Sequence, residues 1–250
     1  MKLVIGGSTG FVGTELVRQA LLHPAITSVV ALSRRETPVP LQDTEAGNAL
    51  KLTSVVCNDF ETYSDDVRNE LQGADACIWT IAVTPRKQHT VPFEEVCKIS
   101  REYAVKAIQT LAQSSTGHSP EQRNDDQPFR FVYISGIAAK RDRAEAEKDQ
   151  MLVERGMVEY CLVRGDAESQ ILAFAEKSHG RVEASVARPG LIFGPREDDE
   201  TRRSMPGFPS IELAKLAAAL LDQVINGFEK NMLLHDDLVR LGQNAITRRR

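Results

Sequence analysis

Short apolar runs and stretches of helical periodicity take turns along most of this chain. Residues 3–5 (Leu3, Val4, Ile5) form an apolar run closed by glycine, as a strand buried on both faces does. Residues 11–22 follow with Val12, Leu16, Val17 and Ala20 at helical spacing. The same reading predicts strands at 28–32, 52–57, 76–81, 129–135 and 182–188. It predicts helices at 64–71, 93–112, 160–175 and 211–225, with a short one at 238–245. In the longest of these, Val96, Ala104, Ile108 and Leu111 share one side. Residues 114–128 are polar and rich in turn formers, which predicts a surface loop. Residues 140–154 are charged and helix-prone with a weak apolar stripe, which predicts a solvated helix or mobile flap.

Strands alternating with helices imply right-handed crossovers and a parallel sheet. The expected fold class is α/β: a Rossmann-like, doubly wound parallel sheet in three α/β/α layers. No repeat and no Gly-, Ser- or Pro-rich linker divides the chain, so residues 1–250 are expected to form one domain, with a small substrate-side region at about 190–250. The helix at 211–225 could be core or a homodimer face, and core is the simpler reading.

Composition narrows the function. At 42% hydrophobic and 26% charged residues, the 250-residue chain is ordinary for a soluble protein. A net charge of −4 argues against a nucleic-acid partner, and the terminal Arg248, Arg249 and Arg250 read as a solvated tail. The four cysteines are widely spaced without a CxxC pair and fit a reducing compartment. The first apolar run is too short for a signal peptide, and no stretch approaches the roughly 18 apolar residues of a membrane span. A cytoplasmic protein is expected. The five histidines show no metal-ligand spacing, so no metal is expected, and no Gly-x-Ser-x-Gly elbow or Walker loop is present.

The sharpest signal is the turn Gly7-Ser8-Thr9-Gly10-Phe11-Val12-Gly13, between the first strand and the first helix. A dinucleotide needs this arrangement. The turn requires positive φ, the backbone must approach a pyrophosphate without a Cβ between them, and the helix N-terminus offers free N–H groups. A site for NAD places an acid at the end of the second strand to hold the ribose 2′-hydroxyl. Here Ser33, Arg34 and Arg35 stand there, and a guanidinium fork suits the 2′-phosphate of NADP. Two solvated arginines beside Glu36 are the plainer alternative. Asp59, just past the third strand, is a candidate for the adenine end.

This turn resembles that of the atypical short-chain dehydrogenase/reductase superfamily. Further matches are Ser33-Arg34-Arg35, Asn58-Asp59-Phe60, Trp79-Thr80-Ile81-Ala82, the run from Tyr160 to Glu168, and Arg188-Pro189-Gly190. Together they look most like the Tat-interacting-protein/oxidoreductase branch and its fungal mitochondrial-surface relatives. The resemblance implies an NADP-dependent oxidoreductase that reduces a carbonyl of a small molecule. It places Asp59, Phe60, Ala82, Val83, Arg188 and Pro189 along the cofactor. It also implies a Tyr-x-x-x-Lys pair and a hydroxyl for proton transfer. Tyr160 matches the tyrosine, Arg164 stands in the lysine position, and Ser135 matches the hydroxyl, with Gly136 where a second hydroxyl is often found. Residues four apart share a helix face, so a cation at 164 can act on a phenol at 160. In the alternative, Tyr160 simply packs and Arg164 is solvated or paired with Glu168. The stretch between Ser135 and Tyr160 is longer than usual and could cover the site as a lid.

Two other classes stay open. The altered Lys and Ser positions suit a non-redox isomerase, cyclase or lyase of natural-product metabolism. A non-catalytic NADP-sensing binding protein is the other. The fungal relatives also suggest peripheral attachment to an organelle surface.

Overall fold

The computed structural model describes residues 1–40, 46–115, 127–194 and 207–248. Most of the polar loop expected at 114–128, the charged run at 195–206 and the last two arginines lie outside the described residues.

Seven strands form a parallel sheet: β1 (Lys2–Gly6), β2 (Ser28–Ser33), β3 (Leu52–Val56), β4 (Ala76–Trp79), β5 (Phe129–Ile134), β6 (Val182–Ala187) and β9 (Met232–Leu233). Their order is β3-β2-β1-β4-β5-β6-β9. A second, two-stranded sheet pairs β7 (Leu191–Phe193) with β8 (Ser210–Glu212). The order reverses between β1 and β4, which opens a crevice at their carboxyl ends, where ligands of such sheets bind.

Alternation along the strands sends side chains to two different cores. Val4, Cys77, Trp79, Phe131 and Tyr133 pack against α3 (Asp65–Leu71), α5 (Tyr103–Ser115) and α8 (Val158–Lys177). Leu3, Ile5, Ile78, Val132 and Ile134 pack on the other face against α1 (Phe11–Leu22), α9 (Leu213–Asn226) and α10 (His235–Arg248). The fold class expected from the sequence is therefore the one observed. Helix α9 is core: Leu216, Ala217, Leu220, Leu221 and Val224 are fully buried.

The structure departs from the sequence reading in three respects. The helix expected at 93–112 is α4 (Phe93–Cys97), a π-helical turn over Lys98–Glu102, and α5. The short strands β7, β8 and β9 carry too few residues for alternation to register, as does the four-residue helix α2 (Ala46–Ala49). The third difference is the charged segment 140–154. It forms two short helices, α6 (Arg143–Lys148) and α7 (Gln150–Glu154), capped by Asp142 and Asp149. Ala146 and Leu152 are fully buried, and Arg143 holds both oxygens of Glu159 on α8 (2.7 and 3.0 Å). A segment with two buried apolar side chains and a forked ion pair is docked, not solvated.

Candidate nucleotide and substrate site

The glycine turn is built by contacts that exclude side chains. Gly7 has φ +86°, and a Cβ there would strike the Thr80 hydroxyl. A Cβ on Gly13 would overlap the Gly7 carbonyl, so the third glycine lets α1 lie directly on the turn. The Gly10 N–H donates to the Gly7 carbonyl (2.9 Å), and Thr80 donates from its hydroxyl to the Gly6 carbonyl (2.8 Å). Helix α1 has no side-chain cap and no acid in its first turn. Its first N–H groups and the positive end of its dipole are thus left for an anion. Thr9, Gly10, Phe11, Thr14, Glu15 and Leu213 line an open cleft beside this end. Val12 is half-buried against the second core.

The loop after β2 is tied to this turn. Buried Ser8 shares a hydrogen bond with Thr37 (2.7 Å), whose own N–H donates to Ser54 Oγ (2.8 Å). Ser33 is buried and folds its hydroxyl onto the Arg35 carbonyl. Arg34, Arg35 and Glu36 stand exposed at the tip, and neither guanidinium has an ion pair among the described residues. Two solvated cations therefore flank a turn that a dinucleotide fits: a cradle closed to any Cβ, an uncapped helix and unpaired guanidiniums.

Two residues matched to the cofactor, Asp59 at its adenine end and Phe60 beside it in the chain, differ in placement. Asp59 is exposed and caps its own turn through the Glu61 N–H (2.9 Å). Phe60 is 1% exposed and packs edge-on to Trp79 and Tyr63, so its ring belongs to the core.

At the other side of the crevice the π-helical turn positions the strand ends. Ser100 is fully buried there. Its hydroxyl accepts from the Val83 N–H (3.1 Å) and its carbonyl accepts from the Tyr133 hydroxyl (2.7 Å). Single-turn π insertions free a carbonyl in this way and recur at functional sites. Nothing in the sequence pattern singled out Ser100, because it looks like any small residue on a helix. Ala82 is half-buried beside Val83.

Tyr160, near the start of α8, donates its hydroxyl to the Val83 carbonyl (2.9 Å) and packs with Val83, Val96, Leu152 and Cys161. Burial pushes its phenol above the ordinary tyrosine value, and the nearby Arg164 charge only partly offsets this. The docked segment supplies Leu152 to that cluster, so the long insertion covers the tyrosine.

Arg164 is neither solvated nor paired with Glu168. It is 5% exposed, its guanidinium lies 4.8 Å from the Tyr133 ring centroid, and Nη2 donates to the Ile134 carbonyl. Its Nη1 and the Ser135 hydroxyl are buried without partners. Glu168, fully buried, instead accepts from Arg141 (3.0 Å) and from both Nε (2.8 Å) and Nη2 of Arg188. The Arg188 side chain is thereby committed to holding β6 to α8. Pro189, buried, offers its carbonyl to the Ile137 N–H (2.9 Å).

Among the described residues no three His, Cys, Asp or Glu side chains converge as a metal site, and no helix is long and apolar enough to cross a membrane. All four cysteines are free.

No protein-family model matches the chain. Leucinostatins biosynthesis cluster protein T of Purpureocillium lilacinum is 34% identical over 149 residues, 58% of this chain and 46% of that protein. The chain thus spans about half the length of that relative. The mitochondrial protein fmp52 of Emericella nidulans is 22% identical over 216 residues, 86% of this chain and 77% of that protein. Among solved structures, vestitone reductase from alfalfa superposes with a TM-score of 0.65 at 18% identity, covering 94% of this chain and 76% of that one. MoeE5 in complex with UDP-glucuronic acid and NAD gives 0.64 at 18% identity (94% and 75%). Yeast methylglyoxal/isovaleraldehyde reductase Gre2 complexed with NADPH gives 0.62 at 15% (94% and 78%). Sheet order, glycine turn and these superpositions agree on the fold, a Rossmann-like α/β parallel sheet shared with those solved structures.

Proposed function

We propose that this protein is an NADP-dependent oxidoreductase that reduces a carbonyl group of a small organic molecule. The observation that carries the reading is the glycine cradle under an uncapped α1 with Arg34 and Arg35 unpaired beside it. Gly7, Gly10 and Gly13 hold the pyrophosphate, with the backbone from Ser8 to Val12 around it. Arg34 and Arg35 hold the 2′-phosphate, a bidentate match that the single 2′-hydroxyl of NAD does not offer. Similar solved structures hold NAD in several cases and NADPH in another, so the preference rests on these arginines. A nicotinamide nucleotide held there would supply the hydride for the carbonyl carbon. The Tyr160 phenol supplies the proton to the carbonyl oxygen, which requires it to leave the Val83 carbonyl; Ser135 and Arg164 orient the substrate.

The test is a fluorescence titration with NADPH and NADH of the wild type and of the double variant Arg34→Ala/Arg35→Ala. The wild type is expected to prefer NADPH at least tenfold, since a charged hydrogen bond contributes about 1.5–3 kcal/mol, and the variant to lose that preference. Equal affinity of the wild type for both nucleotides refutes the assignment.

A second reading is favoured by one observation. Tyr160 is covered and already hydrogen-bonded, as suits a protein that keeps the scaffold for a non-redox isomerisation, cyclisation or elimination. Product formed without matching loss of NADPH absorbance selects that reading; one-to-one stoichiometry rejects it.

A further inference from the structure

A buried cation with no ion pair among the described residues, Arg164, lies at the carboxyl end of β5. Ser135 stands two residues after Tyr133 and so faces the same side of the sheet. That is the α8 side, where the Arg164 guanidinium stacks on the Tyr133 ring. The two polar atoms buried without partners at this place, Arg164 Nη1 and Ser135 Oγ, therefore share one corner of the site. Arg164 is 5% exposed and Ser135 8%. One helical turn along α8, Glu168 has both oxygens occupied by Arg141 and Arg188. Among the described residues, no carboxylate is paired with Arg164. Arg141 and Arg188 are paired and partly solvated, so among the described residues the charge without an ion pair is that of Arg164. Arginine does not shed its proton, and an unpaired buried charge is costly. A neutral carbonyl or a sugar hydroxyl satisfies the hydrogen bonds at this corner but not the charge; an anion satisfies both.

We propose that Arg164 Nη1 and Ser135 Oγ form a carboxylate pocket, and that the substrate carries a carboxylate beside its reacting carbonyl. One carboxylate oxygen accepts from Arg164 Nη1 and the other from the Ser135 hydroxyl. Both atoms are out of contact with water, so entry requires local opening, and the dry surroundings then strengthen the charged hydrogen bonds. The inference rests on the reading of this crevice as a substrate site, and it assigns the class of substrate.

Calorimetric titration, with and without NADPH, of pyruvate, acetoacetate and levulinate, each paired with its methyl ester, tests it. At least one acid is expected to bind at least about tenfold tighter than its ester. Arg164→Gln removes that difference, Arg164→Lys keeps part of it, and Ser135→Ala narrows it by weakening the acid more than the ester. Equal binding of acids and esters by the wild type, including binding of neither, overturns the proposal. So does an acid preference that survives Arg164→Gln. A loss of NADPH affinity in Arg164→Gln without any acid preference in the wild type assigns the arginine to the nucleotide instead, and overturns it as well. If Arg164→Gln does not fold, the wild-type ratio and Arg164→Lys decide. Acid preference in a protein that binds no NADPH sinks the cofactor assignment and leaves the pocket standing.

Discussion

At the scale of single residues, the three glycines of the turn are not equivalent. Gly10 has an ordinary φ of −82°, and a Cβ there would sit 3.1 Å from the Gly7 carbonyl, a contact that a small shift relieves. A Cβ at Gly13 would overlap that same carbonyl, in a backbone packed on all sides. Gly13→Ala is therefore expected to cost about 1–3 kcal/mol in urea unfolding, as overpacking does, and Gly10→Ala clearly less. The reverse order would mean that α1 does not press on the turn. Phe60 teaches a related lesson. A motif match put it along the cofactor, yet its ring is enclosed by Trp79, Tyr63 and Tyr103. Its part in the crevice is to buttress Trp79, whose ring fits against Gly6.

At the scale of elements, the segment bearing α6 and α7 decides the state of Tyr160. It is held by the buried Ala146 and Leu152 side chains, the Arg141–Glu168 bond (3.0 Å), the Lys140–Asp149 ion pair (3.3 Å) and the Arg143–Glu159 fork. The solvent-facing ion pairs contribute little, about 0–1 kcal/mol each, and Leu152 is the larger of the two side chains that the segment buries. Leu152→Ala is expected to destabilise the protein by about 2–5 kcal/mol, with amide exchange quickening first at residues 140–157. Uniform quickening over the whole chain would show that the segment does not open by itself. The π-helical turn before α5 acts in the opposite sense. Its fully buried Ser100 links the loop after β4 to β5 and keeps that wall of the crevice rigid.

At the scale of the molecule, Glu168 ties α8, the end of β6 and the start of the docked segment together through Arg188 and Arg141, so movement of any one is felt by the others. Burial acts on titration throughout. It is the leading cause that raises all four phenols, Tyr63, Tyr103, Tyr133 and Tyr160, above the ordinary value. Above pH about 10 the unfolded chain releases these protons while the folded chain retains them. The unfolded state then binds fewer protons, so stability falls as pH rises through that range. Phenolate absorbance is expected to appear together with loss of circular dichroism. Full phenolate absorbance near pH 10 with the dichroism intact would contradict this.

The order of elements, the parallel sheet and the glycine turn were legible in the sequence because each rests on local rules. Buried strands are continuous apolar runs, helices repeat at about 3.6 residues, and a turn that excludes Cβ must be glycine. The exposed arginine pair after β2 was legible for the same reason, since two residues past a strand remain at its carboxyl end. What only the tertiary structure decided was the fate of the charged groups. Nothing local distinguishes Arg164, which is buried on Tyr133 with a free Nη1, from Arg188, which is spent on Glu168. Nor could periodicity show that two buried side chains, Ala146 and Leu152, would pin a run of charges over Tyr160. Hydrophobic pattern specifies which face of an element turns inward; the partner of a buried charge is set by residues far apart in the chain, and becomes visible only once the sheet brings them together.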